Sequence, residues 1–113
     1  MKITECSVLT TFDAGDYIIT VGGEVDTYSA PRLRQALDDA RRFGITGITV
    51  DLAEVTFMDS AGFGVLVAAH KRSADLGISL TVRNQRASVT PIMEITGLAA
   101  SSWWRHPPMW RTP

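Results

Sequence analysis

The sequence predicts a small α/β fold with a mixed β-sheet, and three observations carry that prediction. Short β-branched runs alternate with stretches whose apolar residues recur at helical spacing. Two strand-like runs come first, separated by a turn, which makes an antiparallel hairpin. After that, helices separate the strands, and strands joined through helices run parallel in one layer. The predicted order is β-β-α-β-α-β-α.

Residues Ile3 to Thr11 read as the first strand and Tyr17 to Val21 as the second, with the turn Phe12-Asp13-Ala14-Gly15-Asp16 between them. The pair Gly22-Gly23 is expected to bend the chain out of the sheet before Asp26. Thr27 or Ser29 can cap a first helix, and Pro31 fits its first turn, where a missing N–H costs nothing. Leu33, Ala36, Leu37 and Ala40 form its apolar stripe, and Gly44 stops it. The run Ile45 to Leu52 is apolar enough for a central strand. A second helix starts at Asp59 or Ser60 and is apolar almost all round through Phe63, Val65, Leu66, Val67, Ala68 and Ala69. Such a helix is doubly buried or offers apolar surface to a partner. It ends at Gly77. Residues Ile78 to Val82 form the fourth strand, and Ser88 and Pro91 open a third helix that Gly97 terminates.

A chain of 113 residues is one domain with enough length for an ordinary core. The division expected is a domain over 1–98 and an irregular tail over 99–113, which holds all three tryptophans and three of the five prolines. Net charge is -1, so no basic surplus exists for a nucleic-acid backbone. The single cysteine, Cys6, excludes an internal disulfide. With no secretion signal visible, a reducing cytoplasm is the expected compartment. No apolar run reaches the length of a membrane helix, roughly 20 residues. One cysteine and two histidines do not make a structural zinc site, and no metal or other cofactor is expected.

The chemistry-bearing stretch is Met58-Asp59-Ser60-Ala61-Gly62. A nucleophilic serine on a strand-to-helix elbow needs glycine on both sides, and methionine stands in the first place. His70 is ten residues along the same predicted helix, about 15 Å away at the usual rise, so it cannot serve as base for Ser60. Gly62-Phe63-Gly64 lacks the third small residue and the distant acid of a dinucleotide fingerprint. No catalytic residue is expected. By residue type, Ser60 is a helix N-cap; as an exposed hydroxyl at a helix start it is also a site where a phosphate is tolerated. Asp51 and Glu54 read as solvated or capping groups. Asp26 and Asp59 each follow a strand on the same sheet edge and can share a surface with Ser60.

The run Val55-Thr-Phe-Met-Asp59-Ser60-Ala-Gly62-Phe-Gly64-Val resembles the central motif of STAS domains, particularly bacterial anti-sigma factor antagonists. Gly23-Glu24-Val-Asp26, Ala30-Pro31-Arg-Leu33 and Ile95-Thr-Gly97-Leu98 match three further signatures in order. The resemblance implies a STAS-like sheet and a regulatory, non-enzymatic protein. Its implied partners are an anti-sigma factor with serine kinase activity, which would phosphorylate Ser60, and a PP2C-type phosphatase that resets the site. By position, Asp26, Asp59, Gly62 and Phe63 are the implied partner-binding residues. Ala61 stands where many members carry a second hydroxyl, which leaves Ser60 as the acceptor. The family's usual C-terminal strand and helix are replaced here by the Trp/Pro/Arg tail, and the core this would expose points to domain swapping, a homodimer or reduced stability. The alternative reading is a STAS interaction module of a stressosome-like or transporter-associated assembly.

Overall fold

The computed structural model describes residues 5–41 and 44–84. The third helix and the tail expected from the sequence lie outside these residues. Within them the order is β1 (Ser7–Asp13), β2 (Asp16–Val25), α1 (Ala30–Ala40), β3 (Gly47–Met58), α2 (Ser60–Asp75) and β4 (Ser79–Arg83). The four strands form one sheet in the order β1-β2-β3-β4. β1 and β2 are antiparallel, and β2–β3 and β3–β4 are parallel. The mixed sheet and the first six elements therefore match the fold class read from the sequence.

The hairpin turn is tighter than expected. Asp13 pairs with Asp16, leaving Ala14 and Gly15 as the loop, both at positive φ. Two-residue hairpin loops favour such φ values because their twist matches that of the strands.

β2 and β3 are both longer than their sequence patterns suggest. Gly22-Gly23 does not end β2, which continues to Val25. The glycines instead accommodate irregular pairing, with register shifts between Thr20 and Gly22 and between Gly23 and Glu24. Gly23 sits at φ +81°, and a Cβ there would lie 2.1 Å from the Glu5 carbonyl oxygen. Only glycine allows the chain preceding β1 to approach so closely.

β3 runs six residues past Leu52. Its buried residues Val50, Leu52, Val55 and Met58 are spaced two, three and three apart. Each three-residue step absorbs an extra residue, so the inward face is kept while the alternation is broken. Asp51 stabilises the first irregularity. Its Oδ1 accepts from the Ala53 N–H at 2.9 Å, and its Oδ2 accepts from Arg83 and Asn84 at 3.3 and 3.1 Å. It is a structural carboxylate that ties β3 to the end of β4.

The helices share one face of the sheet and pack on each other. Leu33 and Leu37 from α1, and Phe63 and Leu66 from α2, meet Ile19, Val21, Ile48, Val50, Leu52, Leu80 and Val82 in one core. Arg72 of α2 reaches Asp38 of α1 at 3.2 Å, and Arg41 also pairs with Asp38. These partly exposed pairs add little stability compared with the apolar burial beneath them.

Candidate functional site

β2 and β3 are parallel neighbours, so the residues that follow them leave the sheet at the same edge. The Asp59 N–H donates to the Val25 carbonyl at 3.1 Å, which locks the two strand ends together. Asp26 and Asp59 are thereby brought onto one surface, each at the entrance to a helix.

Each aspartate organises its own entrance. Asp26 Oδ1 accepts from the Tyr28 and Ser29 N–H groups, both at 3.0 Å. Ser29 Oγ donates to the Glu24 carbonyl at 3.0 Å and accepts from the Asp26 N–H at 2.9 Å. Ser29 occupies the N-cap position of α1, but its hydroxyl makes no capping bond and closes the preceding loop instead. The Ser29 N–H is the main cause holding the Asp26 carboxyl below its ordinary pKa, with desolvation opposing it and the Ser29 hydroxyl and Tyr28 N–H adding to it.

At α2 the cap is Asp59. Its Oδ1 accepts from the Ala61 N–H at 2.9 Å and the Gly62 N–H at 3.2 Å. Ser60 is the first helical residue, and it is exposed. The capping role that residue type assigns to Ser60 therefore falls to Asp59. The physical reason is reach: a side chain in the extended conformation just before the helix can turn back onto its free N–H groups.

Gly62 and Phe63 differ from their implied place on a contact surface. Phe63 is only 3% exposed and lies in the core. Gly62 is buried against β2 and β3, where a Cβ would lie 2.7 Å from Val25 Cγ1 and 2.9 Å from Met58 Cγ. Both residues seat the start of α2 on the sheet and so set where Ser60 stands. The Phe63 side chain does not form the outer surface. The apolar character of α2 has the same explanation: Val65, Leu66 and Ala69 are buried, while Gly64 and Ala68 face outward.

Two aromatic residues that the sequence motifs do not single out lie near the C-terminal ends of β2 and β3. Tyr28 is 93% exposed and Phe57 is 47% exposed. Tyr28 follows Asp26 by two residues, and Phe57 is paired in register with Glu24. Their signal in the sequence was an aromatic residue within two positions of each aspartate, in a chain that is only 8% aromatic.

Nearby, Cys6 is buried, and burial raises its thiol pKa, against a smaller opposing effect from Arg32. The Arg32 guanidinium donates to the Cys6 carbonyl, which fastens α1 to the start of β1. Among the described residues no three His, Cys, Asp or Glu side chains are grouped to hold a metal ion. No helix among them is long and apolar enough to cross a membrane.

The STAS domain model matches residues 7–112, and the chain belongs to the STAS domain family. The match runs past Leu98, the domain end expected from the sequence, and that boundary lies outside the described residues. Among curated proteins, the chain is 34% identical over 92 residues to the anti-sigma-B factor antagonist of Staphylococcus aureus, covering 81% of this chain and 85% of that protein. It is 34% identical over 82 residues to the Staphylococcus epidermidis protein of the same name, covering 73% of this chain and 76% of that protein. Among solved structures, an anti-sigma factor antagonist from Mycobacterium paratuberculosis superposes with a TM-score of 0.77 at 23% identity, over 93% of this chain and 89% of that one. The phosphorylated form of the Bacillus cell fate determinant SpoIIAA gives 0.71 at 17% identity, over 92% and 94%. At these identities the structural likeness concerns the fold.

Proposed function

We propose that this chain is an anti-sigma factor antagonist whose binding is switched off by phosphorylation of Ser60. It binds an anti-sigma factor that is also a serine kinase, so that the sigma factor is released. A PP2C-type phosphatase returns Ser60 to its free hydroxyl. The protein works in the cytoplasm as a binding module and not as an enzyme.

The observation that carries this reading is the freedom of Ser60. Its hydroxyl is exposed at the first position of α2, and Asp59 performs the capping. Modification of Ser60 therefore removes no hydrogen bond that the helix start depends on. A phosphate adds about -1.5 to -2 charges there. The Ala61 and Gly62 N–H groups already serve the Asp59 carboxylate. The added charge thus gains little from the helix start and is displayed outward, beside an existing acid. A surface that binds its partner through neutral contacts loses it when a dianion must be desolvated. The names of the Staphylococcus relatives support the antagonist role.

The test uses the kinase-type anti-sigma factor encoded in the same genome, with ATP. One phosphate should be added, and peptide mapping should place it on Ser60. Ser60→Asp should weaken binding to the anti-sigma factor, and Ser60→Ala should retain binding without accepting phosphate. Label on another residue, or none from a kinase shown to be active, would overturn the reading.

A further inference from the structure

We infer that Tyr28 and Phe57 are the aromatic anchors of the docking surface around Ser60, and that the partner receives them in an apolar cleft rimmed by basic side chains. This rests on the antagonist role proposed above and specifies which residues give it affinity.

Exposure is the first observation. A tyrosine 93% exposed and a phenylalanine 47% exposed leave much apolar surface in water near the C-terminal ends of β2 and β3, Tyr28 two residues after Asp26 and Phe57 three before Ser60. Neither is required by the core, since Val25, Val55 and Met58 already close this end of the sheet. Aromatic residues at such positions contribute strongly to association, because they bury large area at little conformational cost.

Rigidity is the second. Tyr28 sits in a loop held by two backbone donors to Asp26 and by the Ser29 hydroxyl. Phe57 lies on β3 beside Glu24. Both backbones are fixed before any partner arrives, so little ordering entropy is lost on binding.

Charge is the third, and it defines the occupant. The segments 22–29 and 54–64 contain Glu24, Asp26, Glu54 and Asp59 and no lysine or arginine. The nearest cation in sequence, Arg32, is engaged with the Cys6 carbonyl. The complement is a protein surface with Lys or Arg around an apolar centre. The two parts act differently. Rim charges speed encounter and select the partner, while the aromatic centre excludes water. A dry centre beside Ser60 also explains how one phosphate can outweigh an attractive rim, because the dianion would have to be stripped of water there.

Binding of the full chain to the same anti-sigma factor should be measured for wild type, Tyr28→Ala, Phe57→Ala and Leu76→Ala. Leu76 is 63% exposed at the far end of α2 and serves as a control for apolar surface in general. Each aromatic variant should raise Kd roughly tenfold, with a urea midpoint close to wild type, and Leu76→Ala should bind as wild type does. Rising salt should slow association of wild type and variants alike. Wild-type binding with both aromatic variants unchanged, an equal loss in Leu76→Ala, or association indifferent to salt would overturn the inference while leaving the antagonist role intact. Failure of the wild type to bind would instead remove the role on which it rests.

Discussion

Asp26 and Asp59 perform the same task with the same atom. In each, Oδ1 takes two backbone N–H groups two and three residues ahead and so shapes the entrance to a helix. For Asp26 this has a pH consequence. The folded carboxyl ionises below its ordinary value, so in acid the folded chain binds fewer protons than the unfolded chain. The stabilisation is fully present above the unfolded pKa, about 4. It is lost as pH falls through the lowered folded value. Asp26→Asn should therefore cost stability near neutral pH and show a shallower loss in acid, read from urea midpoints across the acid range. Parallel acid limbs for the two proteins would contradict this. Thr27 or Ser29 was legible in the sequence as a cap of the first helix, and Ser60 as a cap of the second. That Ser29 would spend its hydroxyl on Glu24 was not, because the choice depends on where the end of β2 places that carbonyl.

Among the elements, β3 and α2 decide the site together. α2 can lie close to β2 and β3 only because Gly62 has no side chain. In Gly62→Ala, crowding against Val25 and Met58 should cost about 1–3 kcal/mol, against a helix-propensity gain of about 1 kcal/mol. The net effect should be a lower urea midpoint at unchanged m-value. Gly64 has open space around its Cβ direction. Gly64→Ala should therefore stabilise by up to about 1 kcal/mol in the same experiment. The pair separates packing from propensity within one turn of helix. The sequence singled out both glycines as helix-start residues but could not rank them. Their difference lies in what faces them from other strands.

At the scale of the molecule, one helical layer covers one face of the sheet, and the site stands where two parallel strands deliver their chains to that layer. Leu66 is fully buried in the shared core, on the helix that carries Ser60. Leu66→Ala should cost about 2–5 kcal/mol in chemical denaturation. The loss of binding should follow the unfolded fraction, since Leu66 is remote from the surface. A binding defect in fully folded variant protein would show that core packing also tunes the site.

Composition, periodicity and the strand–Asp–Ser–helix pattern determined the class of fold, the order of the first six elements and the candidacy of Ser60. Those features depend on residues close in the chain: helix stripes, turn glycines and capping acids act over a few positions. The tertiary structure decided the length of β3, the burial of Phe63 and Gly62, and the emergence of Tyr28 and Phe57 beside the acids. Each of these depends on pairing between strands or on contact between layers. Bulges hide an inward face from any alternation count, and burial is a property of what packs against a residue and not of the residue itself.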